Sequence, residues 1–111
     1  MPSSDIARVL ASILHNIELA RRFTEEISFE QFENDQRTIY AVTRCLEIIS
    51  EASRRLPDEI KARHPRVPWS QMAGAGNIYR HDYEDVLPTI LWTTVKDHLQ
   101  ELEDALRAEG R

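Results

Sequence analysis

Cysteine is nearly absent. The single Cys45 excludes an internal disulfide and any zinc site built on several cysteines, and it fits a reducing compartment. Three glycines and five prolines are too few for an architecture of many short strands joined by frequent turns. No apolar run approaches the ~18 residues that a membrane helix needs. Basic charge is in deficit: 14 Lys and Arg stand against 19 Asp and Glu, a net charge of −5. That disfavours strong nonspecific binding to duplex nucleic acid, which depends on many cations displacing counterions. A small, locally basic RNA site remains open. The start, Met1-Pro2-Ser3-Ser4-Asp5, has no basic segment followed by an apolar one, so no secretion signal and a cytoplasmic location are expected.

What the chain does have is a length of 111 residues with 41% hydrophobic and 30% charged side chains. This predicts one globular domain over residues 1–111, burying roughly 65% of its unfolded surface. Ile6, Val9, Leu10, Ile13, Leu14 and Ile17 recur at spacings of three and four, which predicts a helix over residues 5–23. Ser3 or Ser4 is its expected cap. Ser28-Phe29-Glu30-Gln31 is a capping-box pattern and predicts one helical turn over residues 28–32. A long helix is expected over residues 35–56, with Ile39, Val42, Leu46, Ile49 and Leu56 as its stripe and Cys45, Ala52 and Ser53 beside it. Pro57 ends it and can open a short helix. His64-Pro65-Arg66-Val67-Pro68-Trp69 reads as an extended loop. Ser70 is the expected cap of a helix over residues 71–80. A last helix is expected from residue 85 or 86 to about 108, with Pro88 in its first turn and Ile90, Leu91, Val95, Leu99, Leu102 and Leu106 facing the core. Three long amphipathic helices with short ones between them predict an all-α fold, a small antiparallel helical bundle. A leftover exposed stripe would point to a dimer.

The chemically suggestive stretch is Gly74-Ala75-Gly76-Asn77-Ile78-Tyr79-Arg80-His81-Asp82-Tyr83. Each glycine inside a helix costs about 1 kcal/mol relative to Ala. Close approach of a helix, a second subunit or a ligand would account for that cost. Asn77 and His81 are one turn apart, with Arg80 beside them. Tyr83 joins them only if the helix ends near residues 80–82. Glu84, Asp85 and Pro88 suit such a break. An imidazole can exchange a proton near neutral pH, a guanidinium can hold phosphate oxygens, and a phenol can donate to them. The same residues can also be nothing more than a capped helix corner.

Several segments carry a family resemblance: Tyr40-Ala41-Val42, the run Leu46-Glu47-Ile48-Ile49-Ser50-Glu51-Ala52, Pro68-Trp69, and Gly76 through Tyr83. Over its whole length the chain resembles the HepT-like group of the HEPN superfamily, the toxins of HepT–MntA toxin–antitoxin systems. The family motif is an Arg, a polar residue, three variable residues, then His-x-Tyr. Asn77 matches the polar residue, His81 the histidine and Tyr83 the tyrosine. The resemblance implies a HEPN-like bundle that dimerises, with both motifs lining one cleft. It implies a metal-independent endoribonuclease with RNA as substrate, no cofactor and no metal. It also implies an MntA-like nucleotidyltransferase partner that silences the toxin by transferring AMP to Tyr83. Where the motif arginine belongs, this sequence has Gly76; the nearest arginine is Arg80. Two readings follow. Either Arg80 supplies the cation to a working ribonuclease, or the chain is an inactive binding partner and AMP acceptor of the nucleotidyltransferase.

Other residues suggest blander roles. Glu47 and Glu51 are helix-spaced from Arg54 and Arg55 and read as a solvated ion-paired face, with an Arg80-orienting role for Glu51 as the rival. Arg54, Arg55, Lys61, Arg63 and Arg66 form a locally basic stretch, either solvated surface or a rim for RNA phosphate. Trp69 and Trp92 are expected in the core or an interface, and Cys45 as a buried structural thiol. His15, His64 and His98 show no metal-ligand spacing.

Overall fold

Seven α-helices account for nearly all of the described chain. The computed structural model describes residues 3–81 and 87–110, and for residues 3, 4 and 77–81 the backbone alone. The helices are α1 (Ser3–Thr24), α2 (Phe29–Glu33), α3 (Gln36–Arg54), α4 (Asp58–Arg63), α5 (Trp69–His81), α6 (Leu87–Thr93) and α7 (Leu99–Glu109), with a π-helical turn, Thr94–His98, joining α6 to α7. No strand occurs among the described residues. The all-α expectation holds.

Local chemistry sets most of the boundaries. Ser28 Oγ accepts the Gln31 amide at 3.1 Å, and the Gln31 side chain accepts the Ser28 amide at 2.9 Å. The expected capping box therefore starts α2. Asp35 caps α3 through the Thr38 amide and hydroxyl. Those two bonds hold its carboxyl below the ordinary carboxylate range. Pro57 precedes α4 in an extended conformation, at the cap position rather than inside the helix. The caps proposed at Ser3 or Ser4 fall among side chains outside the description.

Cross-links fix how the helices run. Lys96 Nζ donates to the Thr24 carbonyl at the end of α1, while Arg21, one turn earlier, pairs with Glu103. α7 thus advances as α1 recedes. α3 and α5 are also antiparallel: Arg54 meets Ala73, whereas Ser50 reaches Gly76. The core lies between these helices. Ile13 and Ile17 of α1, Val42 and Leu46 of α3, and Leu91, Leu102 and Leu106 from the last third are buried in it. At 25 cal/mol per Å2, each such side chain contributes roughly 1.5–3 kcal/mol before entropy is subtracted. Among the described residues, the large hydrophobic side chains left exposed are Phe23 and Tyr40, on separate helices. No helix of the described residues is long and apolar enough to cross a membrane.

The last helix departs from expectation: it is not continuous. An α-helix turns about 100° per residue, so Leu91 and Leu99 would lie about 80° apart on one. The wider π turn at Thr94–His98 rotates less per residue and brings Leu91, Val95 and Leu99 back to one buried line. Thr94 Oγ1 donates to the Ile90 carbonyl at 2.7 Å as the turn begins.

The end of α7 is anchored to α4. Glu109 accepts from Arg63 Nε at 3.0 Å and lies 2.7 Å from His64 Nε2. The Arg63 guanidinium, with the His64 contact second, pulls the Glu109 carboxyl from its ordinary 4.5 down to about 2. A depressed carboxylate stabilises the fold fully above its unfolded pKa, and that contribution fades as pH falls toward the folded value. Glu109→Gln is therefore expected to lower Tm at pH 7 and to flatten the fall of Tm between about pH 4.5 and 2. An unchanged acid limb in a Tm series would exclude Glu109 as an acid-sensitive anchor.

Candidate functional site

α5 is held from its first residue. Pro68 supplies the first helical carbonyl, accepting the Met72 amide at 2.9 Å. The Trp69 indole donates to the Lys61 and His64 carbonyls at 3.1 and 3.0 Å, which ties the start of α5 to the end of α4. Trp69 is thus a structural ring packed against the core, as expected. The expected cap at Ser70 is corrected: the helix begins at Trp69, and Ser70 is an exposed residue of its first turn. Pro68 already carries a φ suited to helix entry, so the start moves upstream.

The middle of α5 is joined to α3 by an unusual set of hydrogen bonds. Ser50 Oγ donates to the Met72 carbonyl at 2.8 Å, lies 3.2 Å from the Ala73 carbonyl, and accepts the Gly76 amide at 3.1 Å. One turn further along α3, Arg54 places Nε and Nη2 at 2.9 and 2.7 Å from the Ala73 carbonyl. These contacts revise the reading of Arg54 as an ion-pair partner of Glu47 and Glu51. A helix carbonyl with a second lone pair to offer takes its donors instead.

The two glycines differ. Gly76 is buried, with its amide on Ser50. Gly74 is exposed, and a Cβ there would meet nothing within 4 Å. The expectation of close approach therefore fails at Gly74 within this chain. Its φ is not positive, so Gly74→Ala is expected to raise stability by about 0.5–1 kcal/mol, from helix propensity and a less disordered unfolded chain. A higher Tm and urea midpoint would show it; an unchanged or lower midpoint would refute it.

The motif residues follow this clamped turn. Asn77, Arg80 and His81 occupy positions i, i+3 and i+4 of the last turns of α5, where the backbone alone is described. Tyr83 lies outside the described residues. The backbone thus places three of the four predicted residues on consecutive turns of one helix.

A cleft of about 380 Å3 lies beside the other half of α5. Ser50, Met72 and Ala75 form one wall, and Thr94, Asp97 and His98 of the π turn form the opposite one. Most of its lining is apolar. Among the described residues, it adjoins the clamp.

The basic stretch is only partly free to meet an anion. Arg63 is engaged with Glu109, and Arg54 with the Ala73 carbonyl. Arg55 and Arg66 are exposed. Trp92 packs against Phe29 and Phe32 with Lys96 above its ring, and Cys45 is buried, its thiol pushed up by burial. Both match expectation.

Sequence reasoning missed Ser50 and Arg54 as contacts to α5. The available signal was a serine on the otherwise apolar face of α3. A buried hydroxyl needs a partner, and here the partner is another helix's backbone.

Fold and site together define an all-helical bundle whose fifth helix, locked to the third, carries an Asn-x-x-Arg-His sequence at its end. The chain belongs to the HepT-like family: the family model described as "Ribonuclease HepT-like" matches residues 13–109. Relatives include the "Probable ribonuclease HepT" of Thermococcus cleftensis, 44% identical over 94 residues, covering 85% of this chain and 86% of that one. A protein of Caldanaerobacter subterraneus subsp. tengcongensis carrying the name "Putative RNase" is 37% identical over 98 residues, 88% of each chain. Another so named, from Methanocaldococcus jannaschii, is 34% identical over 103 residues, 93% of this chain and 89% of that one. No solved structure matches the chain.

Proposed function

We propose that this single-domain chain is the toxin of a HepT–MntA-type system, a cytoplasmic, metal-independent endoribonuclease acting as a homodimer. The observation that carries the reading is the HepT-like match across residues 13–109, with Asn77, His81 and Tyr83 at the motif positions. His81 is the general acid and base. It takes the proton of a ribose 2′-hydroxyl as that oxygen attacks phosphorus. The bond to the 5′ oxygen breaks, and the imidazolium returns a proton to it. The products are a 2′,3′-cyclic phosphate and a free 5′-hydroxyl. Arg80 binds the phosphate and stabilises the charge that grows on its oxygens, in place of the arginine that Gly76 replaces. Asn77 and Tyr83 hold phosphate or the 2′-hydroxyl. AMP transfer to Tyr83 by an MntA-like nucleotidyltransferase adds a bulky anionic group to a site that takes phosphate, and so turns the enzyme off.

The test is RNA cleavage by the purified chain in EDTA, after its mass has been confirmed free of AMP. Cleavage leaving cyclic phosphate ends is expected. No cleavage would overturn the ribonuclease reading. Gly76 specifically favours a second reading, that of an inactive AMP-accepting partner. Under it, co-expression with the nucleotidyltransferase still adds the mass of AMP, and Tyr83→Phe abolishes the addition because the phenolic oxygen is the acceptor.

A further inference from the structure

We propose that Ser50 and Arg54 are positioning residues that set the geometry of the Asn77–His81 turns of α5, a role that rests on the ribonuclease reading of those turns. In a regular helix the Gly76 amide bonds to the Met72 carbonyl, four residues back, and the Asn77 amide to the Ala73 carbonyl. Here Ser50 Oγ serves both members of the first pair: it accepts from Gly76 at 3.1 Å and donates to Met72 at 2.8 Å. The hydroxyl bridges two backbone groups of the helix from outside it. Arg54 binds the acceptor of the second pair, with two N–H groups on the Ala73 carbonyl.

The clamp falls directly before Asn77, and it is supplied by α3, not by α5's own sequence. Ser50 is 2% exposed, so water does not compete for its bonds, whereas Arg54 meets the Ala73 carbonyl at the surface. The hydroxyl has one hydrogen, and the shorter contact assigns it to Met72. Ala73 is left to Arg54, and the two side chains divide the two carbonyls between them. Among the described residues, the clamp binds the Met72–Gly76 turn of α5. Everything beyond it, including Arg80 and His81, inherits its direction. An error of about 1 Å in catalytic geometry can cost on the order of 100-fold in rate, so a fixed helix direction is a sensitive control point.

The experiment compares wild type with Ser50→Ala, Ser50→Thr, Arg54→Ala and Arg54→Lys. Cleavage of a defined RNA in EDTA is measured beside NMR titration of the His81 imidazole and hydrogen exchange of the amides of residues 77–81. For Ser50→Ala, kcat is expected to fall about 10–100-fold with KM near wild type. Ser50→Thr, which keeps the hydroxyl, recovers most of the loss. Arg54→Ala lowers kcat, and Arg54→Lys, lacking the two-donor fork, does not restore it fully. In both alanine variants the His81 titration moves and the amides of residues 77–81 exchange faster, while His15 and His98 titrate as before.

A fall in Tm with kcat, the His81 titration and local exchange unchanged would reduce both residues to stabilisers and overturn the proposal. A rise in KM alone for Arg54→Ala, restored by Lys, would make Arg54 a direct phosphate contact and overturn its part. If the wild type cleaves no RNA, the ribonuclease reading fails by itself. The His81 titration and the exchange data then still decide whether the clamp sets these turns.

Discussion

His81→Ala is expected to reduce RNA cleavage in EDTA by about 10²–10⁴-fold, with the far-UV CD spectrum unchanged. The size follows from what a positioned general acid and base contributes. The spectrum is expected to hold because the bundle is built on buried residues from Ile13 and Ile17 of α1 to Leu102 and Leu106 of α7, which the substitution leaves in place. Arg80→Ala is expected to cost on the order of 10²–10³-fold, the loss typical of one fixed donor to transition-state charge. Arg80→Lys keeps the charge without the planar fork and should fall between alanine and wild type. The double variant is the sharper test. Residues that act as one unit lose little more together than the worse single change, whereas independent residues multiply their losses. His81→Ala with Arg80→Ala should therefore cleave about as poorly as His81→Ala alone. Cleavage retained by His81→Ala would remove the histidine from the mechanism. Multiplicative losses would mean that Arg80 binds RNA away from the reacting phosphate.

The sequence foretold different features to different depths, and the division follows the range of the forces involved. Ser28 and Gln31 announced their helix because a capping box is complete within four residues. Pro57 acted within one turn for the same reason. The stripes on α1 and α3 were legible because 3.6-residue periodicity is local, although what it predicts is burial against something distant. The errors came where two elements negotiate. Ser70 lost its expected cap role because Trp69, its indole tied to the Lys61 and His64 carbonyls, starts the helix earlier. The π turn after Thr93 repairs a mismatch between the spacing of Leu91 and Leu99 and the line of the core. Ser50 drew no structural reading of its own from the sequence. Its place between Met72 and Gly76 depends on the register of α3 against α5, which no local pattern encodes. For the site, the residue types and the spacing from Asn77 to His81 were legible, and the helix under them was expected. The contacts that orient that helix were not.

Phe32→Ala is expected to be the most damaging single truncation outside the motif, at about 3–5 kcal/mol out of a total stability of order 5–15 kcal/mol. α2 has five residues, far too few to be helical alone. Its capping box sets where it starts, but burial of Phe32 holds it in place. That ring is fully buried, 5.3 Å from the Trp92 ring at 44°, and Phe29 meets Trp92 edge-on at 5.8 Å. Trp92 also carries the Lys96 ammonium 4.7 Å above it, and Lys96 satisfies the Thr24 carbonyl at the end of α1. Removing the Phe32 ring thus opens a cavity and loosens the link between α1 and the π turn. Phe29, only partly buried, should cost roughly 1–2 kcal/mol when cut to alanine, because less area returns to water. Phe32→Leu fills most of the space and should fall between the two. Urea unfolding gives the comparison, with midpoints read at a constant slope so that a change in the denatured state is not mistaken for lost packing. A cost below about 1 kcal/mol for Phe32→Ala would mean that the site collapses without a cavity, and that α2 is a tether between α1 and α3, not part of the core.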